Sequence, residues 1–107
     1  MDLGFEWDEV KADANLEKHG VRFEEGQTVF GDPYALTLFD SGHAGSDDRF
    51  VDIGLSSNGR VLVAVYTEAD QRIRIISCRQ ATARERRQYE ERRGQPGQRE
   101  RRHVARV

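Results

Sequence analysis

The feature that most constrains this chain is a change in the spacing of its apolar residues near residue 33. Beyond that point, runs rich in β-branched and aromatic residues alternate between apolar and polar positions, over residues 34–39, 49–55, 61–67 and 72–78. The links between the last three runs are short enough for hairpins, which makes these neighbouring strands antiparallel. The pattern predicts a small antiparallel sheet of about four strands.

Two helical segments precede the strands. Asp8 has the side chain of an N-cap and Gly20 suits the left-handed residue after a helix, so we expect a helix over residues 9–19. Apolar residues and glycine recur at helical spacing over residues 23–30, which predicts a second, shorter helix. Together with the sheet, these helices indicate an α+β fold.

A third helix should follow the last strand. Thr82 and Glu85 have the spacing of a capping box, in which each side chain bonds the backbone N–H of the other residue. Gly94 marks the end of this helix. Its interior offers only Tyr89 as a large apolar side chain. We therefore expect this helix to bury little surface and to leave its arginines free to contact a partner.

The length of the chain allows one domain. Its 107 residues are 36% hydrophobic and 34% charged, and a chain of this size builds a single core. The last residues are mostly arginine, glutamine and glycine, a composition that cannot bury enough apolar surface to fold. We expect one α+β domain over residues 1–93 and a flexible arginine-rich tail over residues 94–107.

Charge is divided unevenly along the chain. Residues 1–71 hold 15 Asp and Glu against five Lys and Arg, whereas residues 72–107 hold 12 Arg against four Glu. The planar guanidinium of Arg matches the oxygens of phosphate and carboxylate groups. A basic C-terminal third therefore points to nucleic acid or to an acidic protein partner.

The remaining composition excludes several classes of protein. The single Cys78 cannot form an internal disulfide, and no spacing of Cys and His matches a zinc site. The sequence has no phosphate-binding glycine loop, no apolar run long enough to span a membrane and no pattern of a secretion signal. We expect a soluble cytoplasmic protein that uses no metal and no cofactor.

The titratable residues that remain are suited to phosphodiester chemistry without a metal. Such chemistry needs a base for the 2′-hydroxyl, cations for the phosphate charge and an acid for the leaving oxygen. His19 is the candidate for proton transfer, but a Lys-His-Gly helix end is also what capping and the helix dipole select. The residues alone favour the capping role. Lys11, Asn15 and Lys18 recur at spacings that place them on one helix face beside His19.

Three arginines in the strands have two readings each. Strict alternation places Arg79 on the same side of its strand as Ile73 and Ile75, where it is either a phosphate clamp between sheet and helix or a structural ion pair. Alternation places Arg74 on the other side, on a solvated or partner-binding face. Arg49 flanks a turn and has the same two alternatives as Arg79.

Four segments of the chain, taken in order, resemble a known family. They are F-E-W-D-x-x-K-x-x-x-N-x-x-K-H-G-V at 5–21, D-D-R-F at 47–50, I-R-I-I-S-C-R at 73–79 and R-E-R-R-Q-Y-E at 84–90. Each segment alone is a weak signal, but the first and third together are fairly specific. The sequence resembles BrnT, the toxin family of the BrnT/BrnA type II toxin–antitoxin systems.

The resemblance implies a fold, an activity and a partner. The fold is a compact α+β arrangement like that of the RelE ribonuclease toxins, the activity is RNA cleavage that arrests translation, and the partner is a BrnA antitoxin that carries the DNA-binding part. Residue by residue, the family's Lys-His pair falls on Lys18 and His19, its Arg before a short Phe-led strand on Arg49, and the Arg that closes Ile-Ser-x-Arg on Arg79. The resemblance therefore favours a site role for His19 over a capping role.

Two hypotheses of different classes follow. In the first, the chain is a metal-independent ribonuclease in which His19 transfers protons and Arg49 and Arg79 stabilise phosphate charge. The residues expected to hold the RNA backbone are Lys11, Lys18 and Arg74. In the second, the chain is a non-catalytic module whose basic third helix and tail bind nucleic acid or an acidic protein. A catalytic site requires His19, Arg49 and Arg79 to converge on one concavity, whereas a binding module leaves them dispersed.

Overall fold

The computed structural model describes residues 4–40, 49–94 and 103–106. Three α-helices lie against the two faces of one sheet, which gives the expected α+β class. The elements in chain order are β1 Gly4–Glu6, α1 Glu9–His19, α2 Phe23–Gln27, a 3-10 turn Thr28–Gly31, β2 Leu36–Asp40, β3 Arg49–Leu55, β4 Val61–Ala69, β5 Arg72–Gln80, α3 Ala83–Arg93 and β6 His103–Arg106. No helix in these ranges is long and apolar enough to cross a membrane.

The sheet is mixed, with the strand order β1-β5-β4-β3-β2-β6. Its four central strands, β2 to β5, are antiparallel, and the short links predicted this for β3–β4 and β4–β5. The prediction of a wholly antiparallel sheet of about four strands is wrong at both edges, where β1 pairs parallel with β5 and β6 pairs parallel with β2. Link length constrains only strands that follow one another in the chain. The α+β class is therefore confirmed, whereas the expected strand number and the expected likeness to RelE do not describe this mixed sheet well.

The strand β6 lies inside the segment expected to be a flexible tail. Residues 95–102 and 107 lie outside the described residues, but His103–Arg106 pair with Leu36–Phe39 of β2. Without β6, this side of β2 would present a row of unpaired backbone groups. Backbone pairing, which composition does not reveal, accounts for this difference.

Helix α1 begins and ends at the predicted residues. The side chain of Asp8 accepts hydrogen bonds from the backbone N–H groups of Val10 and Lys11 at 2.8 and 3.3 Å. Gly20 has φ 70° and donates its N–H to the carbonyl of Leu16, which is the left-handed termination that glycine favours. Both signals act within a few residues, so the sequence predicted them correctly.

One face of the sheet is covered by α1 and α2, and we call it the helix-covered face. The strand residues buried on it are Leu62, Ala64, Tyr66, Ile73, Ile75 and Cys78, which pack against Val21, Phe23 and Val29. Aromatic rings reinforce the contact: Phe30 meets Tyr66 edge-on at 4.8 Å, and Phe50 stacks on Tyr66 at 5.6 Å between ring centroids. This side contains the main hydrophobic core.

The opposite face is covered at one end only by the described elements. There α3 buries Ile53 and Val63 beneath Tyr89. The next row across β2, β3, β4 and β5 is formed by Leu38, Val51, Val65 and Ser77. All four side chains of this row are only half-buried. We call this row the open face.

A β-bulge in β5 decides which side chains reach each face. Tyr66 pairs with Ile75 and Val65 pairs with Ser77, so Ile76 is an extra residue in β5. Beyond the bulge, Cys78 joins the helix-covered face and Arg79 turns to the opposite one. The predicted placement of Arg79 on the isoleucine side is therefore wrong, because strict alternation does not allow for the inserted residue.

Candidate nucleic-acid interface

Two arginines border the open face at one end. Arg49 immediately precedes Phe50, which pairs with Tyr66. The next residue of β4, Thr67, pairs with Arg74. Arg49 and Arg74 therefore flank Thr67 in one row of the sheet, with their Cα atoms about 10 Å apart at the usual strand spacing.

Arg79 borders the open face at its other end, beside α3. It pairs with Val63, four residues from Thr67 along β4, which is about 13 Å from the first row. Its guanidinium donates to both carboxylate oxygens of Glu85, at 2.8 and 2.9 Å. The ion pair that the sequence left as one alternative for Arg79 is therefore present in the structure.

Glu85 links Arg79 to the start of α3. Its carboxylate also accepts a hydrogen bond from the backbone N–H of Thr82 at 2.9 Å, while the Thr82 hydroxyl accepts one from the N–H of Glu85. This is the predicted capping box. The bonds from Arg79, with a smaller contribution from Thr82, lower the pKa of Glu85 to about 2. The carboxylate thus stays charged near neutral pH and orients the Arg79 fork.

Arg74 is held more loosely. Its guanidinium lies 3.3 Å from Glu6, whose carboxylate also accepts from Arg72 at 2.8 Å. The hydrogen bond from Arg72 is the main cause that lowers the pKa of Glu6. About half of the Arg74 side chain is exposed. Exposed pairs of this kind contribute little, so a phosphate can replace Glu6 as the partner of Arg74.

His19 lies in a different layer from these arginines. With Ala12, Asn15 and Leu16 it forms the less exposed stripe of α1, at positions i, i+3, i+4 and i+7, and α1 packs on the helix-covered face. The structure therefore brings Arg49, Arg74 and Arg79 to one face of the sheet and leaves His19 on the other side. The catalytic roles of His19, Arg49 and Arg79 stay predictions, because this arrangement fixes the layers and not the distances between these side chains.

The two lysines of α1 differ in exposure from Asn15, with which they were expected to share a face. Lys11 and Lys18 are exposed, whereas Asn15, which their spacing places on a shared face, is buried. The Asn15 amide donates to the carbonyls of Val21 and Cys78 at 2.9 and 2.8 Å and accepts from the N–H of Cys78 at 3.1 Å. Because β1 pairs only with residues 72–74, Asn15 satisfies the edge of β5 beyond it. Asn15 is thus a structural residue that fixes α1 against β5.

The sequence did not predict a partly buried ion pair near the end of α1. Glu25 accepts from the Arg60 Nε at 3.0 Å and also from its Nη2, and the Ser56 hydroxyl donates to Glu25 at 2.7 Å. These bonds, that of Arg60 above all, lower the pKa of Glu25 to about 2. Arg60 also donates to the carbonyl of Gly20 at 3.3 Å. The network ties the residue after His19 to the turn between β3 and β4.

No local signal in the sequence could have found this pair. Arg60 follows a turn, which by itself indicates no partner, and Glu25 lies 35 residues earlier, in the first turn of α2. Only the folded chain brings the two together. The sequence-predicted site accordingly omits Arg60, which bonds the carbonyl of the residue after His19.

Helix α3 is attached more firmly than its composition suggests. Tyr89 is buried and donates its hydroxyl to Asp32 at 2.6 Å, and burial is the main cause that raises the pKa of this phenol. Arg92 is also buried, and its Nε donates to the carbonyl of Ala35. The expectation that Tyr89 alone packs is therefore incomplete, although the remaining arginines of α3 are exposed as expected.

Cysteine and carboxylate groups offer no evident alternative chemistry. Burial raises the pKa of the Cys78 thiol to about 12, so it is protonated and inert near neutral pH. Within residues 4–40, 49–94 and 103–106, no group of three or more His, Cys, Asp or Glu side chains is placed to hold a metal ion. The groups of the site that can bind phosphate are therefore its arginines.

Comparison with known proteins agrees with this architecture. The fold is similar to that in the crystal structure of the Brucella abortus ribonuclease toxin BrnT, with a TM-score of 0.58 and 21% sequence identity over 76% of this chain and 99% of that one. No curated protein sequence matches the chain. Residues 7–85 match the family model described as the ribonuclease toxin BrnT of a type II toxin–antitoxin system. Because this match covers well over half of the sequence, the chain belongs to the BrnT family of type II ribonuclease toxins.

Proposed function

We propose that this protein is a metal-independent endoribonuclease of the cytoplasm, that it arrests translation by cleaving RNA, and that a BrnA-type antitoxin neutralises it. The observation that carries the proposal is the placement of Arg49, Arg74 and Arg79 around one open face of the sheet. Arginine forks are suited to the oxygens of phosphate groups. Family membership supplies the reaction class and the existence of an antitoxin. DNA binding belongs, in this proposal, to the antitoxin.

The RNA strand lies across the open face in this proposal. Arg49 and Arg74 hold phosphates at one end, and Arg79 holds a phosphate at the other, where Glu85 fixes its guanidinium. The exposed Lys11 and Lys18 attract more distant parts of the backbone. Cleavage takes place at the Arg79 end, because oriented donors stabilise the charge that develops on phosphate oxygens.

The reaction follows from these groups. A base removes the proton of the 2′-hydroxyl, the 2′-oxygen attacks the adjacent phosphorus, and the bond to the 5′-oxygen breaks as that oxygen receives a proton. The products are a 2′,3′-cyclic phosphate and a 5′-hydroxyl. We assign the proton transfer to His19, at the end of α1 that Arg60 ties to the β3–β4 turn. This assignment requires the scissile phosphodiester to lie within hydrogen-bond reach of both His19 and Arg79.

Incubation of purified protein with RNA in excess EDTA tests the metal-free mechanism. We expect cleavage to continue and the products to carry cyclic phosphate ends. Arg79→Ala should lower kcat/KM by 100-fold or more, as the loss of one electrostatic donor does, and Arg79→Lys should stay well below wild type because it lacks the fork. Arg84→Ala, on the exposed side of α3, is the matched control. Cleavage that stops in EDTA and returns with magnesium contradicts the mechanism.

The separation of His19 from the arginines favours a second candidate, a binding module that holds RNA without cleaving it. His19→Ala discriminates between the two. Intact RNA binding without cleavage in the wild type supports the module, and wild-type cleavage by His19→Ala removes His19 from the chemistry.

Induced expression, followed by incorporation of labelled amino acids with and without a BrnA-type antitoxin, tests translation arrest and neutralisation.

A further inference from the structure

A second concave surface lies between α3 and the turn that joins β3 to β4. It has a volume of about 360 Å³. Its floor is formed by the buried Tyr89 and the half-buried Leu55 and Val61. None of the arginines that border the open face lines it. We call this surface the α3 groove.

Arginines stand on both sides of the α3 groove. Arg86 and Arg93 are seven residues apart on α3, so they share a helix face at a separation of about 10 Å. Arg60 lines the opposite wall, but its guanidinium donates to Glu25 and Gly20, neither of which lines the groove. Arg93 lies over the ring of Tyr34, 5.6 Å from the centroid.

The charge of the α3 groove is mixed. Glu90 lies between Arg86 and Arg93 on the same helix and also lines the groove, and Arg60 is already paired with Glu25. The positive excess therefore comes from Arg86 and Arg93. A nucleic-acid backbone, with a phosphate at every nucleotide, meets Glu90 as well as the arginines. A peptide can instead place separate carboxylates on the guanidinium groups of Arg86 and Arg93, without a negative charge beside Glu90.

We propose that the α3 groove binds an acidic segment of the antitoxin protein, with an apolar side chain on the floor and carboxylates about 10 Å apart on Arg86 and Arg93. A small apolar floor surrounded by a larger polar and charged rim is an arrangement that protein interfaces use. This inference rests on the proposed antitoxin partner. It places the antitoxin on a surface separate from the open face that the proposed function gives to RNA.

The test compares two double variants of α3 with the same change of charge. Arg86→Gln with Arg93→Gln removes both rim cations, whereas Arg84→Gln with Arg87→Gln removes two exposed arginines that do not line the groove. The affinity of each for a BrnA-type antitoxin is measured by calorimetry, and cleavage of RNA is measured without antitoxin. We expect the groove double to raise Kd more than tenfold and the control double less than threefold, with RNA cleavage unchanged in both.

Melting temperatures within a few degrees of wild type establish that the variants are folded. If the groove double unfolds, Arg86→Gln alone carries the test, with an expected rise in Kd of at least threefold. Equal losses in the two doubles, or an unchanged Kd in the groove double, overturn the inference. Loss of RNA cleavage with intact antitoxin binding overturns it too and assigns the groove to RNA. A wild type that fails to bind the antitoxin contradicts the proposed partner itself.

Discussion

The two faces of the sheet use the same strands for different purposes. On the helix-covered face, Leu62, Ala64 and Tyr66 of β4 are completely buried under α1 and α2. On the opposite face, Val63 is buried beneath α3, but Val65 of the same strand is only half-buried, in a row bordered by arginines. Because side chains alternate along a strand, one sequence can build a core on one face and a charged binding surface on the other.

The covering helices account for the contrast. Helix α1 and the segment around α2 bring apolar side chains such as Val21 and Phe23 to the sheet. Helix α3 contributes Tyr89 and the stem of Arg92, and most of its other side chains are charged. Among the described elements, α3 alone covers the second face, where Tyr89 reaches it. Stability and surface chemistry should respond to substitutions on different faces, which the following predictions test.

The largest expected effect is on the helix-covered face. Phe23 is completely buried and meets Trp7 edge-on at 5.9 Å. Phe23→Ala should lower the free energy of unfolding by about 3–5 kcal/mol, because it removes a buried ring and leaves a cavity. Urea unfolding measures the loss, with the exposed Val10→Ala as control. A loss below about 1 kcal/mol in Phe23→Ala would show that this face is not the main core.

A smaller loss is expected where α2 touches β5. A Cβ atom added at Gly26 would collide with the Sγ of Cys78, so Gly26→Ala should destabilise the protein by about 1–3 kcal/mol. Cys78→Ala makes room, and the double variant should regain part of the loss in a double-mutant cycle. Gly31→Ala, where an added Cβ has no neighbour within 4 Å, is the control. Additive losses contradict the collision.

The Glu25–Arg60 pair should make stability depend on pH. The pKa of Glu25 is about 2 in the folded protein and about 4.3 in an unfolded chain. A lowered folded pKa means that the contribution is complete above the unfolded pKa and is lost as pH falls from about 5 to 2. Allowing for solvent around Arg60, we expect about 1–2 kcal/mol. Glu25→Gln should reduce the dependence of the free energy of unfolding on pH in this window, and the exposed Glu24→Gln should not.

The smallest effect is expected on the open face. Val65→Thr should change the free energy of unfolding by less than about 1 kcal/mol, because the side chain is only half-buried. Val63→Thr, two residues away on the same face but buried under α3, should lose about 1–3 kcal/mol, because a hydroxyl enters an apolar site. Thermal unfolding compares the two. Equal losses would mean that Val65 on the open face is as buried in solution as Val63.

Several elements could be predicted from the sequence because their causes are local. Asp8 and Gly20 delimit α1, and the capping box of Thr82 and Glu85 begins α3, as the structure confirms. The four central strands follow the alternation of apolar residues, although β4 and β5 run two residues longer than predicted and leave a turn of Asp70 and Gln71. Each of these features depends on residues a few positions apart.

The candidate site was predicted less well because its geometry is not local. Arg49 and Arg79 do border one sheet face, but the bulge at Ile76 decides which face Arg79 occupies. The tertiary structure places His19 on the inward stripe of α1, away from that face. Their catalytic roles remain predictions, which the variants of Arg79 and His19 test for those two residues.

The sequence by itself determined the α+β class, the caps, the antiparallel centre of the sheet and the excess of arginine in the last third of the chain. Only the tertiary structure decided the parallel edge strands, the Asn15 bonds to Cys78 and the Glu25–Arg60 pair. The physical reason is sequence separation. Caps and alternation act between neighbours, whereas these contacts join residues 35 or more positions apart, and such pairs form only when the whole chain has packed.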